Sequence, residues 1–263
     1  MIDVLAVIPA RLASTRLPEK PLLKLGGREL VLRVWDGVRE SARVDRVIVA
    51  TDDERIVRVV ERAGGEAMMT PSCLPTGNDR VAYVAKEIPS RFVINVQGDD
   101  ATSCAAQIDP MIDALAADET VNLAVLAKRI DDPDEAARDS IVKMVFDEAG
   151  RALYFSRSPI PFERNPGAVR YKHIGPYAWR RDALFEFASW EQTPLERAES
   201  LEMLRLLEKG RTIRCIETET DSIEIDTRED VLLFEDSLKK IYDYRLASGS
   251  ETWDNKNNLR QMR

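Results

Sequence analysis

Apolar and polar positions alternate in blocks along the first half of the chain. Val4-Leu5-Ala6-Val7-Ile8 is an unbroken apolar run, as a strand buried on both faces requires. Leu30–Ser41 switches to a helical period, with Leu30, Val31, Val34, Trp35 and Val38 on one face. Val47–Ala50 predicts a second strand. Thr51-Asp52-Asp53-Glu54 reads as a capping box that opens a helix over Arg55–Ala63, and Gly64-Gly65 ends it. Glu66–Met69 predicts a strand and Gly77–Lys86 a helix. Phe92–Val96 predicts a strand that runs into Gln97-Gly98-Asp99-Asp100. Such alternation predicts an α/β fold: a mostly parallel sheet with helices on both faces.

After about residue 120 the pattern changes. Asn122–Ala127, Ile141–Phe146 and Ala152–Phe155 read as strands joined by short acidic loops, and His173–Trp179 as another. Helices are expected over Ala183–Ala188 and Ser200–Lys209, then a strand over Thr212–Glu217 and a long helix over Thr227–Tyr242. Residues 249–263 are polar with few apolar anchors, a frayed tail or an arm toward another subunit.

Composition narrows the function. The 263 residues are 44% hydrophobic and 32% charged, an ordinary soluble globular balance. The net charge of −8 argues against a nucleic-acid coat, so the cations Arg11, Arg16 and Lys20 are a local feature. No apolar run is long enough for a transmembrane helix. Met1-Ile2-Asp3 lacks the basic and apolar regions of a signal peptide, so a cytoplasmic protein is expected. Cys73, Cys104 and Cys215 form no disulfide framework and no zinc spacing. His173 is the single histidine, which excludes a His-rich metal site.

In an open parallel sheet, ligands bind beyond the carboxyl ends of the strands. Three polar clusters fall there: the basic loop 9–20, Thr76-Gly77-Asn78-Asp79-Arg80, and Gln97-Gly98-Asp99-Asp100. A cationic loop beside an acidic strand end suits a phosphate chain neutralised by side-chain cations and Mg²⁺. A solvated loop of surface ion pairs would give the same pattern. Neither a Walker A loop nor a Gly-x-Gly-x-x-Gly turn is present.

The stretches "IPARLASTRLPEKPL", "VATDDERI", "TGNDR", "NVQGDD", "VKMVFD", "ALYFSRSPIPF", "YKHIGPYAW", "LERAESLEMLR" and "DSIEIDTRED" occur in one order across about residues 2–240. Together they resemble the CMP-Kdo synthetases, the 3-deoxy-manno-octulosonate cytidylyltransferases. The resemblance implies a nucleotide-diphospho-sugar transferase-like α/β fold with a smaller α+β inserted region. It implies one domain over 1–248, with a nucleotide-binding part at about 1–120 and 212–242 and an acceptor and dimerisation part at about 121–211. The implied reaction transfers CMP from CTP to Kdo or a related 3-deoxy-octulosonate, releasing pyrophosphate, with Mg²⁺ and in a homodimer. Arg11, Ser14, Arg16 and Lys20 would cradle the triphosphate. Pro9 and Ala10 would present backbone to cytosine, and Thr76, Gly77, Arg80 and Gln97 would complete the nucleotide pocket. Asp99 and Asp226 match metal-binding carboxylates and, with Lys20 and Arg16, would carry the chemistry. Gln97, Asp100, Arg157, His173, Glu202 and Met203 fall on the acceptor side.

Four departures from the family pattern stand out. Leu-Pro-Gly-Lys-Pro reads Leu-Pro-Glu-Lys-Pro, with Glu19 in place of glycine. Two unit charges about 4 Å apart repel by roughly 4 kcal/mol at an effective dielectric near 20, so Glu19 must turn from the triphosphate, pair with a cation or help bind metal. A positive φ there would also strain it. Gln-Gly-Asp-Glu-Pro reads Gln-Gly-Asp-Asp-Ala, and Ser-Gly-Thr-Asp-Arg reads Thr-Gly-Asn-Asp-Arg. Leu-Glu-Gln-Leu-Arg reads Leu-Glu-Met-Leu-Arg, and Met203 cannot give the donors of an amide. These changes leave three alternatives in view: a small phosphonate acceptor such as phosphonoformate, another nucleotide such as GTP or UTP, and a non-catalytic nucleotide sensor.

Overall fold

The computed structural model describes residues 2–13 and 16–248, with side chains in the last helix described as far as Lys239. Ser14 and the tail 249–263 lie outside the described residues. In chain order the elements are β1 (Ile2–Ala10), a 3₁₀ turn (Lys20–Leu22), β2 (Lys24–Leu25), β3 (Arg28–Glu29), α1 (Leu30–Val38), β4 (Arg46–Thr51), α2 (Glu54–Arg62), β5 (Glu66–Met69), α3 (Gly77–Glu87), β6 (Ser90–Asn95) and α4 (Ala105–Ala117). There follow β7 (Val121–Ile130), α5 (Pro133–Ala137), β8 (Lys143–Phe146), β9 (Ala152–Ser156), β10 (Arg170–Arg180), α6 (Arg181–Ser189), α7 (Pro194–Glu199), α8 (Met203–Glu208), β11 (Thr212–Thr218) and α9 (Arg228–Ser248).

The main sheet has the order β11-β7-β10-β6-β1-β4-β5, with β8 and β9 attached beside β10. The β6-β1-β4-β5 half is parallel, as alternation with helices dictates. β10 runs antiparallel to both β6 and β7 and welds that half to the parallel β7-β11 pair. Strands β7 and β10 are thus part of the same sheet as the nucleotide-side strands. Next to Tyr177, the β10–β7 register shifts between Ile174 and Ala178, a bulge that bends the strand.

β1 is buried on both faces, and its period-2 geometry sorts its side chains into two cores. Val4, Ala6, Ile8 and Ala10 join α1, α2 and α4 on one side. Leu5 and Val7 join Val81, Val84 and Ala85 of α3, and α6 and α8, on the other. At about 1.5–3 kcal/mol for each large apolar side chain withdrawn from water, this two-sided burial holds the sheet in place.

Local differences from the sequence reading have local causes. Asp53 caps α2, accepting from the Arg55 amide, because Thr51 is still held in β4 opposite Ala10. The helix expected over Ser200–Lys209 is α8, which starts only at Met203; the unexpected α7 precedes it and ends at Ser200, whose φ is 55°. The unexpected α4 is alanine-rich with Pro110 inside it, which blurs the apolar period.

Candidate active site

Two adjacent parallel strands, β1 and β6, end side by side, with Val7 opposite Asn95. The chain leaves β6 through Gln97-Gly98-Asp99. A Cβ on Gly98 would stand 2.3 Å from the Pro9 carbonyl oxygen, so only glycine lets this turn lie against β1. The segment after β11 then pairs with the turn. The Ala101 amide donates to the Ile223 carbonyl at 3.2 Å, and the Ile225 amide to the Asp99 carbonyl at 2.9 Å. This backbone pairing brings Asp226 to Asp99 across more than a hundred residues.

Both carboxylates close on one ammonium. Lys20 Nζ donates to Asp99 Oδ2 at 2.7 Å and to Asp226 Oδ1 at 2.9 Å, and is 14% exposed. Arg16 holds the other Asp226 oxygen at 2.9 Å. Burial depresses the Lys20 pKa, but Asp99 and Asp226 outweigh it and hold the ammonium above its ordinary value. The 3₁₀ turn that presents Lys20 begins at Glu19, in left-handed geometry with φ 55°. Its carboxylate points out to Arg55 at 2.5 Å, away from the cations of the loop. Of the courses open to Glu19 the structure shows the pairing with a cation, and its backbone holds the positive φ that costs a non-glycine residue about 1–2 kcal/mol.

On the nucleotide side, Pro9 lies against Gly77, whose added Cβ would be 3.6 Å from the Pro9 ring. Thr76 caps α3 in a reciprocal box with Asp79. Arg11 donates to the Leu74 carbonyl at 2.6 Å, tying the basic loop to the α3 approach. Arg80 departs from expectation. It is 0% exposed, donates to Thr70 Oγ1, and lies 3.5 Å from Asp52, which also accepts from the Leu12 amide. Its role is to brace the loop from behind, and burial lowers its pKa in spite of Asp52. Short-range polarity in the motif cannot separate a guanidinium facing the cleft from one beneath it.

Of the residues expected on the acceptor side, His173, Glu202 and Met203 surround a cavity of about 180 Å³ together with Val142, Phe155 and Tyr177. Three of the residues read from the sequence therefore meet in one pocket. Burial lowers the His173 pKa to about 4, so the imidazole is neutral, and its Nε2 is buried with no partner. The ring stands edge-on to Phe155 and Tyr177 at 5.2 and 5.3 Å. Burial raises the pKa of Tyr177, with Glu224 and Glu202 adding to the shift and Gln97 opposing it. Burial also raises that of Glu202, which accepts from Asn78 Nδ2 at 2.6 Å. Asn78 accepts from Asn95 at 2.9 Å, so α3, β6 and the pocket form one hydrogen-bonded unit. The buried Glu196–Arg205 pair, at 2.5 Å, pins α7 to α8 and fixes the turn bearing Glu202 and Met203.

Asp100 does not open on this pocket. It is 1% exposed, and its carboxylate accepts from the Thr102 amide and hydroxyl at 2.9 and 2.6 Å, closing the turn after Asp99. An acid one residue beyond a functional acid turned inward, as alternation along an extended turn requires. The Arg157 guanidinium donates to the carbonyls of Glu199 at 2.8 Å and Asp139 at 2.9 Å, and among the described residues to no carboxylate.

With the geometry in place, comparison with known proteins decides the family. A family model described as cytidylyltransferase matches residues 5–213. The 3-deoxy-manno-octulosonate cytidylyltransferase of Geobacter metallireducens is 42% identical over 242 residues, 88% of this chain and 95% of that protein. That of Chlorobaculum tepidum is 43% identical over 241 residues, 88% and 95% of the two chains. A solved CMP:2-keto-3-deoxy-manno-octonic acid synthetase complexed with CTP superposes with a TM-score of 0.87 at 36% identity, covering 90% of this chain and 98% of that one. The chain belongs to the CMP-Kdo synthetase family.

For a CMP-Kdo synthetase family member, one further group at the site escaped the sequence reading. Withdrawal of its surroundings from bulk water pushes the Glu224 carboxyl up to about 7, and the charges of Asp99, Asp100 and Asp226 add to the shift, although its surface stays open. The alternation Ile223-Glu224-Ile225-Asp226 carries the signal: two acids two apart on an extended segment share a face. Among the described residues no helix is long and apolar enough to cross a membrane.

Proposed function

We propose that this cytidylyltransferase transfers CMP from CTP to the anomeric hydroxyl of Kdo, releasing pyrophosphate, in the cytoplasm where nucleoside triphosphates are made. What supports the reading is the meeting of Asp99 and Asp226 on Lys20, at the end of the strand whose Asn95 pairs with Tyr177 of the cavity around His173.

Arg11, Ser14, Arg16 and Lys20 bind the triphosphate, with Lys20 exchanging its carboxylate partners for phosphate oxygens. Pro9, Ala10, Thr76 and Gly77 shape the base pocket. The acceptor hydroxyl attacks the α-phosphorus in line, and the loop cations offset charge gathering on the departing pyrophosphate. Neutral His173 Nε2 and Glu202 hold acceptor hydroxyls, and the free edge of Arg157 takes the acceptor carboxylate. Positioning and charge compensation carry the step, so no strong side-chain base is needed.

A divalent ion fits Asp99 and Asp226. Their oxygens already converge on one cation, and among the described residues no group of three or more such side chains forms a complete cage. Mg²⁺ is held that way, by one or two carboxylates completed by substrate phosphates. When bound, it supplies charge neutralisation at the phosphate oxygens.

The residues 121–211 form the acceptor side and the contact for a second copy. Leu153, Phe162 and Val169 are exposed there, Phe162 by 87%, and Phe162→Glu is expected to turn a dimer into monomers in sedimentation. The decisive assay is pyrophosphate release with Mg²⁺, each nucleoside triphosphate and a panel of acids. Release with CTP and Kdo together supports the reading. Release only with phosphonoformate, or CTP binding without release for any acid, overturns it.

A further inference from the structure

Lys143 has no place in the steps above, yet it is 0% exposed. Among the described residues its ammonium faces no carboxylate within bonding distance. It donates to the carbonyl of Arg138 at 2.7 Å, to that of Ile141 at 2.6 Å, and to that of Arg157. A lysine ammonium has three donors, and all three are spent on main-chain oxygens from two separate segments. One is the loop between α5 and β8; the other is the end of β9. Burying a cation without an anion is costly unless every donor is met, so this arrangement is built, not incidental.

The pinned segments are walls of the acceptor cavity. Val142 lies between Ile141 and Lys143 and lines the cavity. Its carbonyl accepts from the His173 amide at 2.8 Å, which seats the histidine opposite. Arg157 is gripped from both ends: its carbonyl by Lys143, and its side chain by the carbonyls of Asp139 and Glu199. The Arg157 amide also donates to Glu199 at 2.9 Å. Remove the ammonium and three carbonyls that converge on one point repel each other, while the loop bearing Val142 and the strand end bearing Arg157 lose their common anchor.

We propose that Lys143 is a positioning residue for the acceptor: its buried ammonium fixes the loop that carries Val142, with His173 bonded to it, and the Arg157 backbone just beyond the cavity-lining Phe155, without touching the substrate. The proposal rests on the reading that this cavity receives the acceptor acid. It does not involve the CTP side, since no Lys143 contact reaches the basic loop, Asp99 or Asp226.

The test uses the full-length protein with Lys143→Met, which keeps the aliphatic stem and removes every donor, and Lys143→Arg, which keeps the buried charge in a planar fork. Three quantities are read: KM for Kdo, Kd for CTP by calorimetry, and the melting temperature. Lys143→Met is expected to raise the KM for Kdo about tenfold or more while the Kd for CTP stays within about twofold. Lys143→Arg is expected to fall between it and the wild type. Should Lys143→Met fail to fold, Lys143→Arg carries the test, with a rise in acceptor KM of about threefold or more at unchanged CTP affinity. An acceptor KM within about twofold of wild type, or acceptor and CTP affinities lost in parallel, overturns the proposal. A wild-type enzyme silent with Kdo is a separate outcome: it refutes the reading of the cavity on which the proposal depends.

Discussion

Substituting Lys20 by methionine separates two roles that one ammonium plays. In the free protein Lys20 occupies the point where Asp99 and Asp226 converge, at 2.7 and 2.9 Å. A divalent ion arriving without nucleotide must displace it. Hydrogen bonds to charged groups are worth about 1.5–3 kcal/mol each, and the released ammonium recovers about half of the two-bond total in water. A net cost of about 1.5–3 kcal/mol remains, so Lys20→Met is expected to bind Mn²⁺ about ten- to a hundredfold more tightly in the absence of CTP. Affinity for CTP moves the other way, falling about tenfold with the loss of one charged phosphate contact. Stability supplies a third reading. Two carboxylates about 4 Å apart repel by up to roughly 4 kcal/mol at an effective dielectric near 20, less here because each is about a quarter exposed. The variant should melt below wild type, and Mn²⁺ should restore it by mass action. Calorimetry with Mn²⁺ alone, calorimetry with CTP alone, and melting curves measure all three. Unchanged or weaker Mn²⁺ binding by Lys20→Met would refute the view that Lys20 holds the ion's place.

Asp99→Asn and Asp226→Asn should each abolish pyrophosphate release while melting curves stay cooperative; near-normal turnover in either removes the metal assignment. His173 gives a pH signature. Its folded pKa, about 4, lies below its ordinary value, so its contribution is full above about pH 6.5 and is lost as pH falls toward 4. The loss amounts to at most about 3 kcal/mol. Urea midpoints measured over that window should fall less steeply for His173→Phe than for wild type, and parallel profiles would show the imidazole to be ordinary. Met203→Gln restores amide donors at the cavity wall and should lower the KM for Kdo about three- to tenfold in steady-state assays; an unchanged KM would show that residue 203 does not face an acceptor hydroxyl.

Much of the fold was legible because periodicity carries it. The apolar run at Val4–Ile8 and the alternation through Val96 announce the parallel half. The antiparallel course of β10 was not, since strand direction depends on partners distant in the chain. The basic loop and the acids at positions 99 and 226 were legible as residue types. Their meeting depends on backbone bonds between residues 99–101 and 223–225, which no local pattern encodes. Arg80 and Asp100 show the opposite limit. Each sits inside a functional motif and is polar, yet each is folded beneath the cleft, where it braces the groups that face outward. For Glu19 the sequence left three courses open, turning away, pairing with a cation or helping to bind metal, and the pairing with Arg55 selects the second.

The seating of β10 between β6 and β7 bears on how such an enzyme can change what it accepts. One strand supplies His173 and Tyr177 to the cavity proposed for the acceptor and at the same time pairs with β6 of the parallel half. The cavity therefore cannot be exchanged as a cassette, because excising it would open two raw sheet edges through the middle of the molecule. New acceptors must be reached by single replacements on a fixed frame, and position 203, where methionine stands in this chain, is the kind of place where such drift leaves its trace.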